Sequence, residues 1–349
     1  LLVWPSLYEE SVTVDTRLTI TGLGPGVMVQ GGMANNQSGP AFTISASGTV
    51  LQGLSVGNSS GGIIVNADGV VLTNLTISDI EGIGINVATP AEGLQIRDVT
   101  VSNTTSDGIA TPFGASDFVL ERVDVSQAAG DSLRLGGSGH SITDSSFSDW
   151  TNINEGSQLE LRNTAFGVLQ LNNQTNALLE NVTADYLNIF GGGDNLLQSG
   201  SIGNHIELKD NSIGNRALDT TFSNVICEAG SSLAIEYRLT VELRTVEGPG
   251  SWLDVELLEG GVALYATPAF GGSEALSDSA GRLPELLLAG LLYNGSATPE
   301  SVVATVSVQF NGLQESSFSI SQDSWQRVWL NLPPDPAVDS VAPSPVIQG

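Results

Sequence analysis

Carboxylates supply most of the chemistry open to this sequence. Asp68, Asp79, Asp107, Asp131, Asp144, Asp149 and Asp194 recur along the chain, and oxygen ligands of this kind make calcium the cofactor to expect, if any. No twelve-residue calcium loop or nonapeptide repeat accompanies them, so a solvated acidic face is the competing reading. Carboxylate pairs also act as acid and base in glycoside hydrolysis. "GGGDN" around Asp194 and "SGHS" around His140 offer isolated pieces of such a site, without paired aspartates or a basic partner motif. Soft metals need clusters of His, Met or Cys, and the chain has two His, two Met and one Cys. His140 and His205 read as loop or surface residues, and Cys227 as a buried, inert thiol. Arg97, Arg122 and Arg162 are expected to point outward and meet Asp98, Asp124 or Glu160 in surface pairs worth little energy. The residues thus predict a protein that is not an enzyme.

Asn-X-Ser/Thr sequons form the second set of candidate sites, at Asn36, Asn58, Asn74, Asn103, Asn173, Asn181 and Asn294. N-linked glycans there would mean an exported, cell-surface or extracellular glycoprotein, although a chain rich in Asn, Ser and Thr also forms sequons by chance. The formal net charge of −27 and a single lysine, Lys209, disfavour nucleic acid and anionic membranes as partners. One cysteine allows no intrachain disulfide, so the redox compartment cannot be read from it. No run of 18 apolar residues marks a transmembrane segment. The absence of an initiator Met and of a signal peptide predicts a processed or trimmed chain.

These residues need elements to position them, and a repeat provides them. Aligned on one residue per unit, Gly53, Asn74, Asp98, Arg122, Asp144, Asn163, Asn181, Ser199 and Asn224 follow one another at spacings of 21, 24, 24, 22, 19, 18, 18 and 25. Two positions earlier stand apolar residues, from Leu51, Leu72 and Ile96 to Leu197 and Phe222. Three positions later stand others, from Val56, Ile77 and Val101 to Ile202 and Cys227. Gly, Asn and Asp, which enter the left-handed region at least cost, dominate the aligned station and predict a tight bend between two strands. Short strands with no helix between them and a period near 20 predict a parallel β-helix. If asparagines stack at that bend, Asn74 and Asn181 point inward and carry no glycan. Asn58 and Asn103, expected in loops before the next strand, are then the better candidates, with Asn36 and Asn294.

The segment "LLVWPSLYEESVTVDTRLTITGLG", with Pro5, Ser6, Leu7, Tyr8 and Glu9, and the following "AFTISASGTVLQGLSV" resemble the first and second coils of the right-handed, pectate-lyase-like β-helix superfamily. The likeness is to exported copper-binding-type repeats and archaeal surface proteins, and it covers residues 1–228. It implies a right-handed single-stranded parallel β-helix; the polysaccharide lyases and hydrolases built on that fold are a matter for the site, not the scaffold. In the family this first coil follows a capping helix, whereas here the chain starts within it. Leu1, Leu2, Val3 and Trp4 would then form an open apolar edge, either a strand that joins a neighbouring copy or simply the start of the ordered part.

The expected organisation is a β-helix over 1–230, an immunoglobulin-like β-sandwich over 231–333 and a Pro-rich tail over 334–349 that leads onward as a linker. "LPELLLAGLLY" reads as either a strand pair or a short helix. The function expected first is a structural glycoprotein that assembles with itself into a filament, sheath or surface layer. The alternative is a polysaccharide lyase, hydrolase or carbohydrate-binding adhesin. A strip of Asp, Arg and aromatic residues on one face of adjacent coils favours the alternative, and smooth sides favour the polymer.

Overall fold

The computed structural model describes residues 1–24, 26–31, 39–88, 90–246, 248–259, 261–301, 304–310, 313–320 and 324–330. Asn36 and the tail 334–349 lie outside the described residues. Among those described, the regular elements are strands, with one short 3-10 turn at Pro268–Phe270. In the first unit, each strand pairs in parallel with strands one repeat away. Val71–Ile80 runs between Val50–Ser59 and Gln95–Thr104, so that Leu51, Leu72, Ile96 and Leu120 stack in one inward column. The chain is a parallel β-helix, a β-solenoid of about eleven turns, with a small antiparallel sheet.

The bends repeat in register because the backbone takes the same conformation in every turn. Gly53, Asn74, Asp98, Arg122, Asp144, Asn163, Asn181 and Ser199 all have φ between 50 and 70°. The last member of this column is Asp219 (φ 49°), not Asn224, which lies in the strand Thr221–Cys227. Ser199 is followed by Asp219 after 20 residues. The inward residue two places earlier is accordingly Ala217, and Phe222 takes the later station. A small inward side chain hid the true register behind the larger Phe222.

The side chains of this column face solvent rather than the core, which corrects the inward asparagine stack. Asn181 Nδ2 donates to Asn163 Oδ1 (2.9 Å), and Asn163 Nδ2 donates to Asp144 Oδ1 (3.0 Å), as an exposed ladder. Further up, Arg122 binds Asp98 through two nitrogens, at 2.6 and 3.1 Å, and this hydrogen bonding lowers the Asp98 pKa. A second column of positive φ was not anticipated: Gly48, Gly69, Gly93, Asp117, Gly139, Gln158, Asn176, Asp194 and Gly214. Their N–H groups each reach the next turn, as in Gly93 to Ser116 O (3.0 Å) and Asp117 to Ser138 O (3.0 Å). A third contains Asn58, Asp79, Asn103 and Gln127, with Asn103 Nδ2 donating to Asp79 Oδ1 (2.6 Å). Asn58 and Asn103 thus sit at a bend inside the long strands Val50–Ser59 and Gln95–Thr104, not in loops.

Between these bends, alternation sends every second side chain into one continuous core. Ile85, Ile109, Leu133, Leu169, Leu187 and Ile206 lie on one inner wall, each at most 1% exposed. Burying each such side chain contributes roughly 1.5–3 kcal/mol. Cys227 closes the neighbouring inner column, buried below Leu208. The chain folds as two compact units, Leu1–Ile235 with Leu291–Glu300, and Glu236–Gly290 with Ser301–Gly349. The second unit has its own core around Leu239, Val241, Leu257, Tyr265 and Val308. It contains a four-stranded sheet in which Glu256–Glu259 pairs antiparallel with Val262–Ala266 and Ala304–Phe310. "LPELLLAGLLY" supplies a single strand, Leu286–Asn294.

The positive-φ requirement predicts a specific ranking at Asn163. Asn163→Gly and Asn163→Val both lose the ladder hydrogen bond, but only valine is strained there. Urea unfolding should place Val about 1–2 kcal/mol below Gly; equal stabilities would mean the bend does not constrain the fold.

Candidate functional site

One outer face of the solenoid carries the groups able to bind a ligand. Leu133–Ser138, Ser146–Ser157, Ala165–Thr175, Thr183–Phe190 and Ser201–Lys209 lie side by side in parallel. Their inward residues, such as Leu135, Ile153, Leu171, Ile189 and Leu208, are fully buried. Alternation then places Arg134, Asn152, Gln170, Asn188 and Glu207 in one row across the strands, of which Asn188 is buried. A second row two residues on is Gly136, Asn154, Asn172, Phe190 and Lys209, and a third is Trp150, Val168, Tyr186 and His205.

The upper part of this face is a groove of about 700 Å³. Its floor holds Asn152, Asn154, Gln170 and Asn172, and its sides include Asn86, Phe113, Asp131 and Arg134. Gln170 Nε2 donates to Asn172 Oδ1 (2.9 Å), and Asn172 Nδ2 donates to Asn154 Oδ1 (2.8 Å). Phe113 is 64% exposed on the segment that passes over Gly136. That segment comes so close that a Cβ on Gly136 would lie 3.0 Å from Pro112 O and 3.1 Å from Phe113 Cα. A side chain here would push this backbone back by a few tenths of an ångström, and Gly136 N–H donates to Thr111 Oγ1 (3.0 Å) to hold the wall. Below the groove, Trp150 is 48% exposed, Tyr186 packs edge-on against His205 with centroids 5.0 Å apart, and Lys209 Nζ sits 5.4 Å from the Phe190 ring centre.

The cations Arg134 and Lys209 of this face are paired within the chain. Arg134 Nη2 lies 2.6 Å from Asp107 Oδ2, while Asp107 Oδ1 accepts from Asp131 N–H (3.0 Å). Asp107 is buried and satisfied on both oxygens, so it fixes the guanidinium at the groove wall. Lys209 Nζ is 2.8 Å from Glu207. Arg97, Arg122 and Arg162 meet acids as expected, Arg122 with Asp98 and Arg162 with Glu160; Glu121 joins Arg97 and Arg122, Glu180 joins Arg162, and Asp124 takes no part in these pairs.

The remaining sequence-level candidates distribute around the molecule. Asn58, Asn74, Asn103, Asn173 and Asn181 are all exposed residues of positive φ, so the distinction drawn between bend and loop sequons vanishes. Asn294 is exposed at the end of its strand. Leu2–Val3 pairs in parallel with Thr21 and Gly22 of its own chain; Leu1, Leu2 and Trp4 are exposed beside an apolar cavity of about 240 Å³. The acids chiefly tie one turn to the next: Asp68 accepts from Glu92 N–H (2.9 Å), and Asp149 accepts from Ser132 Oγ (3.3 Å). Among the described residues, no three His, Cys, Asp or Glu side chains gather as a metal site. Sequence reasoning missed this candidate face: only the alternation after Leu133 hinted at outward amides, and Phe113 lies outside that pattern.

His140 is not at the surface. It is 1% exposed in the column of residues that follows the second bend, tilted against Phe118, with Nδ1 accepting from Phe118 N–H (3.2 Å). His205 is half-buried on the outer face against Tyr186. Burial pushes the His140 pKa down from 6.5 to about 4, against smaller opposing effects of the Gly136 backbone and Asp117.

No protein-family model matches the sequence, and no curated protein matches it either. Similar solved structures include an alginate lyase from Paenibacillus sp. str. FPU-7, 15% identical, with a TM-score of 0.45 over 65% of this chain and 91% of that one. The catalytic domain of Agl-KA is 13% identical, with a TM-score of 0.47 over 67% of this chain and 62% of that one. The tailspike protein gp49 of the Acinetobacter baumannii bacteriophage Fri1, a capsular polysaccharide depolymerase, is 8% identical, with a TM-score of 0.46 over 83% of this chain and 72% of that one. At these identities the likeness is one of fold.

The buried histidine gives a signed pH dependence. The unfolded chain protonates His140 near pH 6.5 and the folded chain only near pH 4. Its stabilising contribution is therefore present above 6.5 and declines as the pH falls towards 4, by about 3 kcal/mol in all. In urea unfolding, wild type should lose stability relative to His140→Leu across that window; parallel pH profiles would contradict a buried neutral ring.

Proposed function

We propose that this chain is an extracellular carbohydrate-binding protein that holds a polysaccharide on the outer face between Phe113 and Lys209. The observation that carries the reading is the alignment of amide and aromatic side chains on adjacent turns, walled by Phe113 and by the Arg134–Asp107 pair. Amides offer both donors and acceptors to sugar hydroxyls, and exposed rings cover the apolar faces of sugars. Asp131 is the one carboxylate lining the groove among the described residues, whereas hydrolysis by paired acids needs a second at a fixed separation. Adhesion without cleavage is the resulting activity.

Affinity electrophoresis in gels containing soluble polysaccharides tests this directly. Wild type should be retarded by at least one polymer, and Phe113→Ala or the double variant Asn152→Ala with Asn172→Ala should weaken retention by roughly tenfold. Equal mobility of wild type and variants in every gel would overturn the reading. Release of new chain ends from a retained polymer would make the protein a depolymerase instead.

Self-assembly into a filament, sheath or surface layer is a second reading, favoured by the apolar surface of Leu1, Leu2 and Trp4. It requires light scattering to report a mass that grows with concentration and falls in Trp4→Ser. A constant monomer mass would remove it.

A further inference from the structure

We infer that the glycan bound on this face is an uncharged polysaccharide, lying along the solenoid axis with about one sugar to each turn. This rests on the carbohydrate-binding reading and adds the class of ligand and its direction.

The ligand class follows from the charges that line the groove. Among the described residues its one cation is Arg134, and that guanidinium is already committed to Asp107 at 2.6 Å. A polyuronate or sulfated chain would have to draw Arg134 away and leave the buried Asp107 carboxylate without its counter-charge, which is costly. Asp131, also on the groove wall, adds a negative charge with no cation of the groove left to offset it. Lower on the face, Lys209 is spent in the same way on Glu207 (2.8 Å). The chain as a whole carries −27, so a polyanion would approach against the field of the molecule. Hydroxyl groups meet none of these obstacles, because the floor offers neutral amides that both donate and accept.

The direction follows from the stacking. Asn152 and Gln170 stand directly opposite each other on paired strands, as do Asn154 and Asn172. Equivalent groups therefore recur about every 4.8 Å across the strands, a distance close to the length of one pyranose unit in an extended chain. Along a strand the amides also recur, Asn152 with Asn154 and Gln170 with Asn172, but at two-residue spacing of about 6.6 Å, which overshoots a single sugar unit. A polymer with identical units thus keeps step with its partners when it runs from turn to turn.

Binding of defined polymers by isothermal titration calorimetry is the test. The uncharged probes are a mannan, a galactomannan and soluble glucans; the charged probes are alginate and polygalacturonate. The expected result is binding of an uncharged polymer with affinity that changes less than about twofold from low to high salt, since no counterions are exchanged. Asn172→Ala should weaken it by about three- to tenfold, with an unchanged thermal midpoint showing that the variant is folded. Oligomers of rising length should gain affinity until they span the turns from Arg134 to Asn172 and then level off. Preferential binding of alginate or polygalacturonate, weakened by salt, would overturn the uncharged class while leaving a carbohydrate-binding protein. Binding of no polymer of either kind would remove the carbohydrate-binding reading itself. Affinity that is already full for a single sugar would overturn the axial direction.

Discussion

Each turn of this solenoid must place residues of positive φ at the same points, or its N–H groups miss the turn beside it. The column from Gly48 to Gly214 states the condition most plainly, since its glycines and its Asp, Gln and Asn members share one backbone conformation. A non-glycine residue in that region costs roughly 1–2 kcal/mol. Here the cost is repeated at nearly every turn and offset by hydrogen bonds to the next one. The stack is therefore held in register turn by turn, and an error at one bend is felt by both neighbours.

Everything on the outer face inherits that register. Because Asn152 stands opposite Gln170 and Asn154 opposite Asn172, four side chains on two strands become a patterned surface. Interruptions are as consequential as the regular stretches. The pairing moves from Phe147/Phe166 to Trp150/Val168, three residues on one strand against two on the other, and this bulge turns Trp150 to the outside. Similar irregularities precede Tyr186/His205 and His205/Asn224. The extra residues lie in Ser146–Ser157 and in Ser201–Lys209, while Ala165–Thr175 and Thr183–Phe190 between them pair without a shift, so Trp150 and His205 come into one row with Val168 and Tyr186.

The handling of charge has the same local character. Few cations are present in a strongly acidic chain, and those of the solenoid that line or flank the groove are bound to acids a turn away or closer. Exposed pairs of this type contribute little stability. Their effect is to present a face of amides and rings whose cations are already occupied. The buried side of the solenoid shows the same local pairing at one place: Asn195 Nδ2 donates to Asn215 Oδ1 (2.9 Å) in the column that also holds His140, whose Nε2 has no partner.

The amino-acid sequence by itself determined the solenoid, its period, most of the first bend column and its inner apolar residues, because bend chemistry and strand alternation are local properties. Leu72, Ile96, Leu120, Leu161 and Leu179 could be assigned to the core from their spacing alone. The exchange of Asn224 for Asp219 shows the limit: with Ala217 at the inward place, side-chain size misled where only backbone pairing decides. His140 reads as polar in sequence and is buried because its ring nitrogen finds the Phe118 amide of the previous turn. The groove was decided by tertiary structure alone. Phe113, Arg134, Asn152 and Asn172 are far apart in the chain, and the stacking of turns, the close approach over Gly136 and the bulges bring them onto one surface. Contacts across turns depend on register, and register is a property of the assembled stack rather than of any one repeat.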